Sequence, residues 1–258
     1  MRQRRSGKSN GSDGTDGTAG SLRRRTLLGA LGASATWGAL SPPARAAAPS
    51  PSVAPVMLSR QAWGADESLR FAADGTEVWP AAYYPVQTLT VHHTADGSTN
   101  PDPAAVVRSI YRNQAVGKGW GDIGYQYLID ASGRVREGRW SGTDGIFGHD
   151  STGRLMVNGA HVGGYNAGNL GIALLGTLTS TPATSAARTS LIQLLTDLTR
   201  QHAIDPLGSV AYRNPVSGVT RTVPAISGHR DWEATECPGT VHRDLPAIRT
   251  AVADALGG

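Results

Sequence analysis

A chain of 258 residues with one cysteine, Cys237, can close no disulfide within itself. It contains no C-x-x-C and no H-E-x-x-H, so any metal site must be assembled from segments distant in sequence. No internal repeat is visible. The one sustained apolar run near the amino terminus, Leu27 to Leu40, is too short and too rich in Gly and Ala to make a good membrane span. Basic character is also missing from most of the chain. The overall charge of +4 comes from residues 1–46, which hold eight Lys/Arg and two Asp/Glu. Taking these from the chain's 24 and 20 leaves 16 basic and 18 acidic residues, a net of −2. No basic stripe survives in that remainder, which argues against a nucleic-acid partner.

What is present begins with an unusual leader. Residues 6–20 are Gly/Ser/Asp-rich and cannot form a core. Three arginines, Arg23–Arg25, then precede the apolar run, which ends in small residues at Ala44-Arg45-Ala46. Basic, apolar, then A-x-A is the order of a secretory signal. Arg24-Arg25-Thr26-Leu27-Leu28 resembles the twin-arginine export address. The expectation is a signal peptide over 1–46, a Pro/Ala linker over 47–56, and one domain over 57–258. That domain is long enough for a sizeable core. After signal cleavage no membrane association is expected, and a monomer is the default.

Within 57–258, Gln87–Val91 alternates polar and apolar residues and predicts a strand. Asp102 and Pro103 mark a helix start ahead of the stripe Val106, Val107, Ile110, Tyr111. "GYQYLIDASGRVREGRW" predicts a hairpin turning at Asp130–Gly133, with Tyr125 and Tyr127 on one side of its first strand. "GNLGIALLGTL" predicts a buried central strand. Helices are expected over Ala183–Gln201 and, capped by Asp244 with Pro246 in the first turn, near the carboxyl end. Interspersed strands and helices predict an α/β fold with a mixed central sheet flanked by helices.

A thiolate with two imidazoles is a good zinc set, because Zn²⁺ takes S and N ligands and a catalytic site leaves one position to water. A lone buried cysteine is otherwise a small hydrophobe. Cys237, however, sits in an irregular stretch eight residues after His229 and directly before Pro238-Gly239. In "LTVHHTA" side chains alternate across a strand. His92 shares its face with Thr88 and Thr90, and His93 shares the apolar face with Leu89 and Val91. Periodicity therefore favours His92 as a ligand and His93 as packing or a support beside it. His149, His202 and His242 carry no motif and are expected at the surface or at helix ends. Trp120 and Trp140 border strand runs and could stack on sugars, with core packing the expectation.

Four ordered blocks, "LTVHHTA", "GWGDIGYQYLIDASGRVREGRW", "GAHVGGYNAGNLGIALLG" and "ISGHRDWEATECPG", together with "LSRQAWGA", resemble peptidoglycan recognition proteins of the type 2 N-acetylmuramoyl-L-alanine amidase superfamily. The resemblance spans about residues 57–258. It implies a zinc site in a surface groove, with His92, His229 and Cys237 as ligands and Tyr125 beside the activated water. It places Thr235 where relatives carry a catalytic lysine or a threonine. It also makes His161 and Asn166 substrate contacts, with His93 counted beside them. Glu236 and an insertion over Phe147–Asn158 are departures expected to alter the groove. The function implied is secreted, zinc-dependent hydrolysis of the amide between N-acetylmuramic acid and L-Ala of peptidoglycan. The alternative is a module that binds muropeptides without cutting. Binding-only members typically lack the cysteine ligand, so Cys237 favours the enzyme.

Overall fold

The computed structural model describes residues 55–97 and 100–257. The expected leader and residues 47–54 of the linker lie outside the described residues. Ten strands form: β1 Met57–Leu58, β2 Tyr83–Pro85, β3 Thr88–His93, β4 Tyr127–Ile129, β5 Val135–Glu137, β6 Leu155–Val157, β7 Asn169–Leu174, β8 Ser209–Arg213, β9 Thr220–Pro224 and β10 Ile226–Gly228. Four α-helices accompany them: α1 Arg60–Trp63, α2 Pro103–Arg112, α3 Ser185–Gln201 and α4 Val241–Gly257. Six strands make one sheet in the order β1-β5-β4-β7-β3-β10. β4, β7, β3 and β10 run parallel, and β5 is antiparallel to β4 through the expected hairpin. This is the mixed sheet the pattern predicts. Among the described residues, no helix is long and apolar enough to cross a membrane.

Each face of the sheet has its own cover. Leu89 and Val91, Tyr127 and Ile129, and Leu170, Ile172 and Leu174 point to one side. There they pack on Leu191, Leu194, Leu195 and Leu198 of α3 and on Leu245, Ile248 and Val252 of α4. Burying each such aliphatic side chain contributes roughly 1.5–3 kcal/mol. On the other side Leu128 meets Val106, Val107, Ile110 and Tyr111 of α2, together with Trp63. Asp102 caps α2 by accepting from the Ala104 N–H, with Pro103 at the first turn as expected.

The loop before β4 is pinned from below by one buried carboxylate. Asp122 accepts from Arg60 Nη1 (2.9 Å), Arg139 Nη1 (2.6 Å) and the backbone N–H groups of Ile123 and Trp140. Removing one partner of a buried ion pair of this kind typically costs about 3–5 kcal/mol, because a charge is left without compensation.

Three expectations need correction. α4 starts at Val241, before Asp244, and Pro246 lies inside it. Val241 is buried in the α3–α4 core, and the first turn is tied down by Thr240 N–H donating to the Leu178 carbonyl. Packing therefore overrides the capping signal. Tyr125 and Tyr127 do not share a side: Tyr127 belongs to the α3–α4 core, whereas Tyr125 packs near α2. β4 begins only at Tyr127, so strand alternation does not reach back to Tyr125.

Finally, His149 is buried, not superficial. Its Nδ1 lies 2.9 Å from the Phe147 carbonyl and its Nε2 lies 2.9 Å from His202 Nε2, with the rings stacked. The 147–158 segment is thereby held to the carboxyl end of α3, helped by Gln201 Nε2 donating to the Gly153 carbonyl.

That histidine pair makes the fold acid-sensitive. The carbonyl requires Nδ1–H on His149, so His149 Nε2 accepts from His202 Nε2–H. A proton on both rings at this separation has no acceptor. Burial lowers the His149 pKa; burial and the neighbouring His149 push His202 down to about 4. Between pH 6.5 and 4 the unfolded chain therefore binds more protons than the native one, and stability falls as pH falls through that window. Urea unfolding should give a lower free energy at pH 5 than at pH 7, and His202→Gln should flatten the slope by up to about 1.4 kcal/mol per pH unit. An unchanged slope in that variant would contradict the pairing.

Candidate metal centre

The parallel register of β3 against β10 sets Val91 opposite Gly228. The residues that follow, His92 still within β3 and His229 just past β10, lie side by side, with ring centroids 4.6 Å apart. Ligand sites in such sheets lie beyond the carboxyl ends of the parallel strands, and this one does. The turn from His229 to Cys237 is stitched together by several bonds. Gly228 N–H donates to Asp231 Oδ2 at 2.7 Å, Asp231 Oδ1 meets His242 Nε2 at 2.9 Å, and Arg230 N–H donates to the Cys237 carbonyl. Trp232, fully buried, donates its indole N–H to Thr90 Oγ1 and Ser227 Oγ, both at 2.9 Å, which locks the loop to the polar face of β3. The backbone N–H of His93 donates to Cys237 Sγ at 3.3 Å.

One ligand atom from each of His92, His229 and Cys237 lies within 4.8 Å of the others. His92 Nδ1 is 3.7 Å from Cys237 Sγ. Burial first, then the neighbouring imidazoles of His161, His229 and His93, holds the His92 pKa well below its ordinary value. His92 is thus a neutral base with a free lone pair. Burial pushes the Cys237 thiol up to about 12, so it gives up its proton only when a cation takes the proton's place. Two imidazoles and a thiol converging in a buried pocket fit Zn²⁺.

Beside this cluster, and reached by His229 of its three residues, lies a groove of about 280 Å³ lined also by Gln114, Lys118, Trp120, Tyr125, His161 and Asn166, among others. The Tyr125 ring sits 5.3 Å from that of His92. Burial, then the nearby Cys237, raises the phenol pKa above its ordinary value, so Tyr125 stays a neutral O–H donor. His161 lies against His92, Nδ1 to Nε2 at 3.0 Å. Asn166 Oδ1 accepts from the backbone N–H groups of His161 and Val162, shaping the groove wall.

Two expected site residues touch Cys237 but do not line the groove. His93 is buried behind Cys237 with its Nδ1 accepting from the Leu178 N–H, and it does not line the groove. The apolar face it shares with Leu89 and Val91 turns it away. Thr235 Oγ1 accepts from the Cys237 N–H at 3.2 Å and is likewise outside the lining. No residue of the 147–158 segment lines the groove either.

Sequence reasoning missed Glu233, whose Oε1 is 2.5 Å from His229 Nε2; its position four residues after His229 was the available signal. Lys118 was also missed, with its Nζ 4.5 Å from the Trp120 ring centroid. Trp120, expected in packing, lines the groove. A larger concavity of about 1030 Å³ lies between the starts of α2 and α3. It holds neither histidine nor cysteine, whereas His161 and His229 line the smaller one.

Comparison with known proteins identifies the family and the fold. The family described as N-acetylmuramoyl-L-alanine amidase (Amidase_2) matches residues 82–240. Peptidoglycan-recognition protein SC2 of Drosophila melanogaster is 32% identical over 188 residues, 71% of this chain and 80% of that protein. A human N-acetylmuramoyl-L-alanine amidase is 33% identical over 181 residues, 65% of this chain but 26% of that longer protein. Among solved structures, Drosophila PGRP-LB superposes with a TM-score of 0.52 at 25% identity, covering 74% of this chain and 92% of that one. The complex of PGRP-LCa and PGRP-LCx ectodomains with tracheal cytotoxin gives 0.51 at 27% identity, covering 72% and 90%.

The close seat of His161 on the sheet depends on Gly171. A Cβ at that position would lie 2.6–2.8 Å from the His161 ring. Gly171→Ala should therefore displace the ring and lower stability by about 1–3 kcal/mol through overpacking. Chemical denaturation and the His161 ring resonances report both effects; an unperturbed ring and unchanged stability would refute the contact.

Proposed function

Because the chain belongs to the N-acetylmuramoyl-L-alanine amidase family, we propose that it hydrolyses the amide joining the lactyl group of N-acetylmuramic acid to L-Ala of the peptidoglycan stem peptide, with zinc held by His92, His229 and Cys237. The observation that carries this reading is the convergence of those three donor atoms within 4.8 Å, beside a groove that His229 lines. A zinc ion held there would make water acidic near neutral pH and polarise a carbonyl oxygen. The chain's own residues do the rest.

Tyr125, kept protonated by burial, donates its O–H to the oxygen on which negative charge develops when the amide carbonyl becomes tetrahedral. A donor placed in this way is worth about 2.7–4 kcal/mol. His161 and Asn166 form the wall against which the scissile amide lies. Trp120 offers an aromatic face to the sugar, and the neighbouring Lys118 cation attracts the carboxylates of the stem peptide. Thr235 steadies the backbone at Cys237 and, with its hydroxyl already accepting from that N–H, is a positioning group more than a base. Hydrolysis breaks the C–N bond, leaving a carboxylate on the lactyl group and a free amine on L-Ala.

The reading includes export of the folded domain through the twin-arginine leader, so that it meets peptidoglycan outside the cytoplasm. Relatives named as recognition proteins favour a second reading, in which the groove binds muropeptides and leaves them intact. The buried thiol facing His92 weighs against it, because binding alone has no use for that thiol.

Incubating the purified protein with peptidoglycan and analysing the soluble products by mass spectrometry separates the two. Amidase action releases free stem peptides that begin with L-Ala. Cys237→Ser should abolish both release and zinc retention. Tyr125→Phe should lower kcat by about 10²–10³-fold while zinc content is unchanged. Bound but uncut peptidoglycan from zinc-replete protein would favour the recognition reading.

A further inference from the structure

We propose that His161 and Glu233 are positioning residues that fix the tautomers of the two metal-binding imidazoles, so that His92 and His229 both present Nδ1 to the metal. The proposal rests on the metal site assigned above, but its logic is that of hydrogen-bond donors and acceptors alone.

The hydrogen-bond relay starts at a backbone carbonyl. His161 Nε2 lies 2.9 Å from the carbonyl oxygen of Asn169. A carbonyl only accepts, so Nε2 of His161 carries the hydrogen and Nδ1 holds a lone pair. That Nδ1 is 3.0 Å from His92 Nε2, so His92 Nε2 carries the hydrogen in turn. The remaining nitrogen, His92 Nδ1, is the atom 3.7 Å from Cys237 Sγ. One β7 carbonyl thus dictates, through two rings, which nitrogen of His92 is free to bind. His229 is oriented by a different device. Its Nε2 meets Glu233 Oε1 at 2.5 Å, and a carboxylate oxygen accepts. Nε2–H therefore points to Glu233, and Nδ1 is left for the cluster.

The two supports are unequal in a way that sets their roles. The His161 side is neutral and enclosed: His161 is 8% exposed, and Gly171 leaves no spare room beneath the ring. The Glu233 side chain is 47% exposed, and its Oε2 lies 3.9 Å from where a Cβ on Gly163 would stand, on the groove wall. His161 therefore acts as a rigid support insensitive to salt. Glu233 acts as a solvent-facing support whose charge is screened by salt and which borders the path of the substrate. Outer-shell hydrogen bonds of this kind typically tune metal affinity by 10–100-fold.

Long-range ¹H–¹⁵N NMR of the imidazole nitrogens in the metal-free protein tests the proposal without any substitution. His92, His161 and His229 should all be Nε2–H tautomers before zinc is added, and His92 and His229 should lose only their Nδ1 lone-pair signature when it is. An Nδ1–H tautomer at His92 or His229 would overturn the proposal. Zinc affinity, measured by chelator competition without peptidoglycan, supplies the second readout. His161→Ala should weaken binding by about 10–100-fold. His161→Gln, whose Oε1 can accept from His92 Nε2–H, should restore most of the loss. Glu233→Gln should weaken binding less, and the difference should shrink as salt is raised. Unchanged affinity in both His161→Ala and Glu233→Gln would refute the assignment. Correct tautomers in a protein that leaves peptidoglycan uncut would count against the amidase reading alone. Wrong tautomers in an active protein would count against this proposal alone.

Discussion

The pairing of β3 with β10 is the constraint on which the site depends. It aligns Leu89, Thr90 and Val91 with Ile226, Ser227 and Gly228, so His92 near the end of β3 and His229 just past β10 lie beside each other. Side chains alternate with a period of two, so a slip of one residue would turn His92 into the α3–α4 core and His93 toward the groove. The register is held from both faces. Leu89, Val91 and Ile226 are buried among the helices on one side. On the other, Thr90 and Ser227 are bridged by their hydroxyls at 2.9 Å and share the Trp232 N–H. The apolar core and the polar clasp specify the same register, and the Trp232 clasp also ties down the loop that delivers Cys237.

The rest of the groove is arranged around that fixed point. Asp122, with four donors converging on it, holds the segment that brings Tyr125 over His92. Gly171 gives His161 its seat on β7, and Asn166 folds the opposite wall. These supports lie on sheet and buried backbone, whereas Lys118 and Glu233 reach in from more exposed positions. Under the proposed amidase reading, enclosed supports hold the ligand atoms while the more exposed Lys118 and Glu233 face the substrate.

Much of this was legible in the sequence, because it follows from short-range rules. Alternation in "LTVHH" separated His92 from His93, and the glycine-bracketed run over 168–176 marked the buried central strand. His229 and Cys237 in "GHRDWEATEC" stood out by residue type, and the family resemblance, not their spacing, paired them with His92. What escaped depended on tertiary context. Tyr125 parted from Tyr127 because the strand begins only at Tyr127. His149 became buried through a partner 53 residues away. α4 began early because burial of Val241 outweighed a capping residue. Glu233 offered only its i, i+4 spacing from His229, which does not distinguish a carboxylate on a histidine from one in water.

The claim at the centre of this account is that His92, His229 and Cys237 bind one zinc ion together. X-ray absorption at the zinc edge of the metal-loaded protein tests it most directly. The account predicts one sulfur at about 2.3 Å and a remainder of nitrogen or oxygen at about 2.0–2.1 Å, with the sulfur shell lost in Cys237→Ser. A shell of nitrogen and oxygen only in the unaltered protein, or a sulfur shell that survives that substitution, would contradict it.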